Sequence, residues 1–409
     1  MMRKRILAMI LAAVTLLSLV GCGGQNTAPT DSGEASAAAS TEASTAAPTA
    51  APTEPTTEAE PTLPVPKTRE MNALREKAVA YMKAMSAVEW TPAQDFQIEC
   101  KYVVGQKYRG LPYTNVMDSC LEEFVSHVED GIYTGPTGAY ACTGVDCSSS
   151  TLASWNTVIT DCMAVYNSNM VPGKGYGTVI VGAYLLPKFP QNTKTIIDMN
   201  EKQDILKSYA MALPADALFH YTTSGHCRMV TDYPEVVYLP NGEIDGAKSY
   251  MTVTEITSSF KDCGDGFQTT WRVDLRYSFD ALYNVGYIPV STEELDAGTV
   301  QPVNYEFTKE FDGVDIVADG LPGLLKCNYR IFEIHAVVKD ASGKEVANVV
   351  KYPENNPNNS LVMSSKSYTL RALKSPLALD TLPAGKYTLT LSAKANETLT
   401  ELKTIEFTR

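Results

Sequence analysis

Gly144-Val145-Asp146-Cys147-Ser148-Ser149-Ser150, continuing as Thr151-Leu152-Ala153-Ser154-Trp155, decides the reading of this chain. Leu152, Trp155, Val158, Ile159, Cys162 and Met163 recur at helical spacing, which predicts a buried amphipathic helix over residues 148–163. Ser148 or Ser149 can serve as its N-cap. Cys147 then sits at or just before a helix N-terminus, where unpaired N–H groups and the positive end of the dipole favour a thiolate. A nucleophile would be placed there. The alternative is a small buried hydrophobe, or one half of a disulfide with Cys142.

Two later stretches bear on that choice. Ser224-Gly225-His226-Cys227-Arg228-Met229-Val230-Thr231 puts a histidine at the start of a strand-like run, 79 positions after Cys147. Ser249-Tyr250-Met251-Thr252-Val253-Thr254-Glu255-Ile256-Thr257 alternates apolar and polar residues and carries Glu255 near its end.

Cysteine on a helix, then histidine and a carboxylate on successive strands, resembles the chain order of the papain-like amidohydrolases of the NlpC and CHAP types. Gly-Val-Asp-Cys-Ser-Ser before a tryptophan-bearing helix resembles their nucleophile motif. Gly225-His226 opening a strand resembles their histidine motif, and Thr252-Val253-Thr254-Glu255 resembles a CHAP-type strand ending in glutamate. The resemblance covers residues 68 to 300. It implies Cys147 as nucleophile, His226 as base and Glu255 as the group orienting the imidazole, with Asp232, Glu235 and Asn241 open as alternatives to Glu255. His220 competes with His226 but precedes the Gly-His pair. The resemblance also implies substrate contacts from Asp146 and Ser148 beside the nucleophile, and from a tyrosine-bearing loop before it. Tyr113 or Tyr140 could fill that last place, or be ordinary packed aromatics. Two positions depart from the pattern: Ser149 stands where the families usually have glycine, and Thr257 where CHAP-type sites usually have asparagine. The implied substrate is an amide bond in the peptide stem of peptidoglycan, cleaved through a thioester without a cofactor or metal. A non-catalytic envelope-binding protein with the same fold is the second reading.

The N-terminal region agrees with an envelope location. Arg3, Lys4 and Arg5 precede an apolar run from Ile6 to Val20, which reads as a secretory signal too short for a comfortable membrane span. Leu19-Val20-Gly21-Cys22 resembles the bacterial lipobox, in which the cysteine is acylated, so Cys22 is the expected lipid anchor to the outer face of the cell membrane. From Gly23 to Pro66 the chain is Ala, Ser, Thr, Pro and Glu with almost no large apolar residue. Such a segment stays disordered, and as a flexible coil would reach roughly 35–40 Å.

Composition narrows the partners. The formal charge is −13, and −16 once Arg3, Lys4 and Arg5 leave with the signal, which argues against nucleic acid and against electrostatic docking on anionic polymers. No Cys-x-x-Cys or zinc-type Cys/His spacing occurs among the nine cysteines. Gly173-Lys174-Gly175-Tyr176-Gly177 lacks the span and the Lys-Ser/Thr pair of a P-loop and reads as a turn.

The expected organisation is α+β. A signal peptide occupies residues 1–21, a lipidated cysteine and linker 22–66, a papain-like domain 67–303 and an all-β immunoglobulin-like sandwich 304–409. Helices are expected from Thr68 to Val88 and from Val116 to Val128, the second carrying His127 as a packing or surface histidine. In the last region Phe332, Ile334, Ala336 and Val338, and later Tyr387, Leu389 and Leu391, alternate with polar residues between turns at Ala341–Lys344 and Pro383–Gly385. Nothing there looks catalytic. The sequence leaves the oligomeric state open.

Overall fold

Asn72 caps the first helix among the described residues. Its side-chain oxygen accepts from the Leu74 and Arg75 N–H groups, and the helix Ala73–Ala87 buries Leu74, Ala78, Met82 and Met85. The start is later than the expected Thr68: the residues before the cap are in no helix or strand, and Arg69 is held by Asp216 and Asp296. The structure, a computed structural model, describes residues 63–114, 120–138, 142–160, 170–172, 177–188, 192–353, 366–395 and 398–409. Within these, Leu63–Arg409 forms one compact unit of mixed α and β structure. The leader, Cys22 and most of the linker lie outside the described residues, as do Tyr140, Cys162 and residues 173–176 of the glycine-rich turn.

A large curled sheet is built from β1 (Glu89–Pro92), β4 (Lys107–Arg109), β5 (Val128–Glu129), β6 (Ile132–Tyr133), β7 (Thr178–Ile180), β8 (Ala217–Tyr221), β9 (Gly225–Val230), β10 (Tyr250–Asp262), β11 (Phe267–Ser278) and β12 (Ile288–Thr292). The spatial order is β5-β6-β1-β4-β11-β10-β9-β8-β12-β7. Two short strands, β2 (Phe96–Gln97) and β3 (Lys101–Tyr102), pair separately. The run β12-β8-β9-β10-β11 is antiparallel throughout, while β4 joins β11 in parallel.

The helix Cys147–Trp155 packs on β9 and β10. It ends at Trp155, short of the expected residue 163, with Val158 and Ile159 buried in the turn that follows. Trp155 Nε1 donates to the Ala215 carbonyl at 2.7 Å, and Cys227 Sγ donates to Thr151 Oγ1 at 3.3 Å. The helix is therefore tied to the strands that carry the expected base. A short helix, Leu121–Ser126, is the described part of the segment expected to be helical from Val116, and His127 is its C-cap against the Tyr133 ring.

The C-terminal part has its own hydrophobic core, from Phe311 to Ala395, distinct from the one spanning Leu74 to Leu295. Among the described residues its strands are β13 (Tyr305–Phe307), β14 (Leu324–Cys327), β15 (Ile331–Asp340), β16 (Glu345–Lys351), β17 (Ser367–Thr369), β18 (Lys386–Ala395) and β19 (Thr398–Thr408). They form two antiparallel sheets, β13-β14-β17 and β16-β15-β18-β19. The inward residues Ile334, Ala336 and Val338 and the cross-strand partners Leu391 and Leu389 are those of the alternating pattern, which Ala393 opposite Ile334 extends. Lys394 on β18 reaches Glu122 at 3.0 Å, and the Phe332 and Tyr81 rings lie 6.0 Å apart, so the two parts are joined by polar and aromatic contacts.

Candidate active site

The cysteine stretch folds as a capped helix start. Asp146, not Ser148 or Ser149, is the N-cap: its backbone is extended, its carboxylate accepts from the Ser149 N–H at 2.6 Å, and Ser149 Oγ accepts from the Asp146 N–H at 2.7 Å. This is a closed capping box, and it makes Cys147 the first helical residue. Ser148 Oγ also donates to Asp146 Oδ1, at 3.0 Å. Asp146 and Ser148, expected at the substrate, are thus both buried and both engaged in the cap.

Gly144 explains the approach to the cap. A Cβ there would lie 2.4 Å from the Pro112 carbonyl oxygen, and the Val145 N–H donates to that same oxygen at 3.1 Å. Only glycine lets the two backbones meet this closely. The contact pairs Val145 with Tyr113 in a parallel bridge, which brings Tyr113 beside the nucleophile segment. Burial and then the nearby Cys147 and Asp146 push the Tyr113 hydroxyl's pKa upward.

His226 is the second residue of β9 and lies near enough to Cys147 for the thiol to act on its ring. Its Nε2 is bonded to Glu255 Oε2, which leaves Nδ1 as the ring nitrogen for the sulfur. Glu255 lies inside β10 rather than at a strand end, because β10 continues past a register shift to Asp262 in its hairpin with β11. The carboxylate is 2 % exposed and accepts two further bonds, from Arg228 Nε to Oε2 at 2.8 Å and from the Tyr277 hydroxyl to Oε1 at 2.6 Å.

The electrostatics follow from these contacts. Burial raises the Glu255 pKa, but the His226 bond and the Arg228 charge outweigh it and hold the carboxyl down at about 2. Burial lowers the His226 pKa, and the bonds from Cys147 and Glu255 outweigh that, raising it to about 9. His226 therefore keeps its proton through neutral pH when Cys147 and Glu255 are in place.

The competing residues are elsewhere. His220 faces His226 across the β8–β9 pair against the Tyr287 ring, and burial followed by the His226 and Arg228 charges lowers its pKa, so it is neutral near pH 7. Asp232 accepts from the Tyr233 N–H, Glu235 pairs with Arg276, and Asn241 pairs with Glu243. Cys142 and Cys147 are free thiols, and Cys142 Sγ lies against the Thr143 carbonyl at 3.7 Å and the Tyr133 hydroxyl at 4.0 Å. Among the described residues, no group of three or more His, Cys, Asp or Glu side chains is placed to hold a metal ion.

Three residues of this cluster escaped the sequence reading: Arg228, Tyr277 and Tyr287. Arg228 had a signal, since it stands two residues after His226 in one strand and so shares its face. Tyr277 and Tyr287 arrive from β11 and the approach to β12, and no local pattern marks them. No protein-family model matches the chain, no curated protein is significantly similar to it in sequence, and no solved structure matches it.

Proposed function

We propose that this chain is an exported, lipid-anchored cysteine amidohydrolase that hydrolyses amide bonds in peptidoglycan stem peptides. The observation that carries the reading is the contact line Cys147–His226–Glu255, with the cysteine at a helix N-terminus and the carboxylate buried and ionised. An active-site thiol needs an imidazole base beside it, and that imidazole needs an orienting group on its far side; His226 and Glu255 fit these two roles. The finer fold assignment belongs to the same proposal. A cysteine helix packed on antiparallel strands bearing His226 and Glu255 supports a papain-like domain. The seven strands among its described residues, in a three-plus-four arrangement, support an immunoglobulin-like sandwich behind it.

His226 takes the Cys147 thiol proton on Nδ1 while Nε2 stays on Glu255. The thiolate attacks the amide carbon, and N–H groups in the first helical turn stabilise the oxyanion. Collapse expels the amine, which takes the proton from His226, and a thioester remains. Water, deprotonated by His226, then releases the carboxylic acid and the free thiol. Export and a lipid anchor at Cys22 would place this chemistry in the cell envelope.

The test is iodoacetamide labelling of the full chain across pH, read residue by residue by mass spectrometry, followed by digestion of purified peptidoglycan. Cys147 is expected to alkylate far faster than Cys100 or Cys263 below pH ~8.5, where an ordinary thiol is protonated. His226→Ala should remove that advantage, and Cys147→Ala should abolish the appearance of new amino groups in the digest. A Cys147 no more reactive than its neighbours would leave an envelope-binding protein instead.

A further inference from the structure

Arg228 does more than balance Glu255. It leaves β9 on the same face as His226, while Cys227 between them turns to the helix and bonds Thr151. Its Nε donates to Glu255 Oε2 at 2.8 Å, and its guanidinium carbon lies 3.9 Å from the Tyr277 ring centre and 4.3 Å from that of Tyr287. Among the described residues, neither terminal nitrogen of Arg228 has a hydrogen-bond partner, although the side chain is only 14 % exposed. An arginine that served only to neutralise a carboxylate would engage it through two nitrogens in the bidentate geometry the guanidinium favours. Here one nitrogen bonds Glu255, whose other oxygen is taken by Tyr277, and the terminal pair points elsewhere.

We propose that Arg228 anchors a carboxylate of the substrate, so that the enzyme acts on amides flanked by a residue carrying a free carboxyl group. The inference rests on the reading of Cys147 as the nucleophile. Two aromatic rings lie against the guanidinium, and its remaining donors lie in its own plane. A planar carboxylate matches that edge with two parallel bonds, and a rotamer already fixed by the rings loses little freedom on binding. The contact line Cys147–His226–Glu255–Arg228 sets the guanidinium beyond His226 from the sulfur. The anchored carboxylate therefore belongs to a residue close in sequence to the scissile amide.

The test is protection of Cys147 in the full chain against iodoacetamide by acetyl-dipeptides ending in D-alanine or L-alanine, each as the free carboxylate and as the carboxamide. For the wild type, a carboxylate form is expected to protect at least about tenfold more strongly than its carboxamide, the size of one charge-assisted bidentate contact. In Arg228→Gln the two forms should protect equally, and Arg228→Lys should keep only part of the difference. The comparison is made within each variant, so a change in labelling rate through Glu255 does not affect it. Equal protection by the two forms, or none from either, in the wild type overturns the anchor, and so does a preference that survives in Arg228→Gln. A Cys147 with no enhanced iodoacetamide reactivity in the wild type would instead sink the nucleophile reading beneath it.

Discussion

Glu255→Gln is the most informative single change. Glutamine keeps the shape of the side chain. Its oxygen can still accept from His226 and Arg228, and its amide can donate to the Tyr277 hydroxyl, which accepts as well as donates. What disappears is the negative charge. In the wild type His226 is held at about 9 against an ordinary 6.5, although its burial pulls the other way. That difference corresponds to about 3 kcal/mol in favour of the imidazolium. Without the carboxylate, Cys147 still raises the His226 pKa while burial lowers it, so the value should fall to about 7–8. At pH 7.5 the imidazolium would then drop from nearly complete to about a quarter to three quarters of the molecules.

The assay is a histidine NMR titration, which the chain favours because it has only four histidines, at 127, 220, 226 and 335. Alkylation of Cys147 at pH 7.5 should slow in parallel, by up to about fourfold. Stability gives an independent check with a definite sign. A histidine whose pKa is raised on folding stabilises fully below its ordinary 6.5 and loses that contribution as pH rises through about 9. A carboxylate whose pKa is lowered stabilises above its ordinary 4.5 and loses it as pH falls through about 2. The stability gap between wild type and Glu255→Gln should therefore be widest between these two ordinary values and close on either side. A wild-type His226 that titrates at or below pH 7, or one that shifts by less than one pH unit in Glu255→Gln, would refute this account of the site.

Other changes test separate parts of the structure. Tyr277→Phe leaves Glu255 Oε1 without its 2.6 Å donor inside a buried site, so it should cost about 1–3 kcal/mol in urea unfolding while Cys147 stays labelled. Asp146→Ala removes the capping box that makes Cys147 the first helical residue; a loss of about 1 kcal/mol and a slower Cys147 alkylation are expected, and an unchanged rate would separate the cap from the chemistry. Asp216 is fully buried between Arg69 and Arg75, and its pKa is lowered because those charges outweigh the effect of burial. Asp216→Asn should cost about 3–5 kcal/mol, and its effect on stability should shrink as acid protonates the wild-type carboxyl, as seen by thermal unfolding at pH 7 and pH 3.

The sequence alone carried what depends on neighbours along the chain. The apolar spacing of Leu74, Ala78, Met82 and Met85 marked a helix, and the alternation around Phe332 and Leu389 marked strands, because a buried face recurs with the period of its own element. The same locality makes Gly144-Val145-Asp146-Cys147 stand out, since a cap, a tight approach and a cysteine at a helix start are all set within a few residues. The capping residue itself was misplaced by two or three positions. Asp146 with Ser149 is as good a box as either serine could begin, and only the backbone angles separate the choices.

Tertiary structure decided which side chains meet. On sequence grounds Glu255 was the expected partner for His226, with Asp232, Glu235 and Asn241 open as alternatives. The register of β10 against β9 brings only Glu255 to the imidazole, with Asp232, Glu235 and Asn241 bonded elsewhere. Arg228, Tyr277 and Tyr287 join it from β9, β11 and the approach to β12, positions up to 59 residues apart whose convergence is a property of strand order. A chain can state its helices and strands locally because their hydrogen bonds and buried faces repeat at short range. Which carboxylate charges which histidine depends on long-range pairing, and that is fixed only when the whole sheet closes around its core.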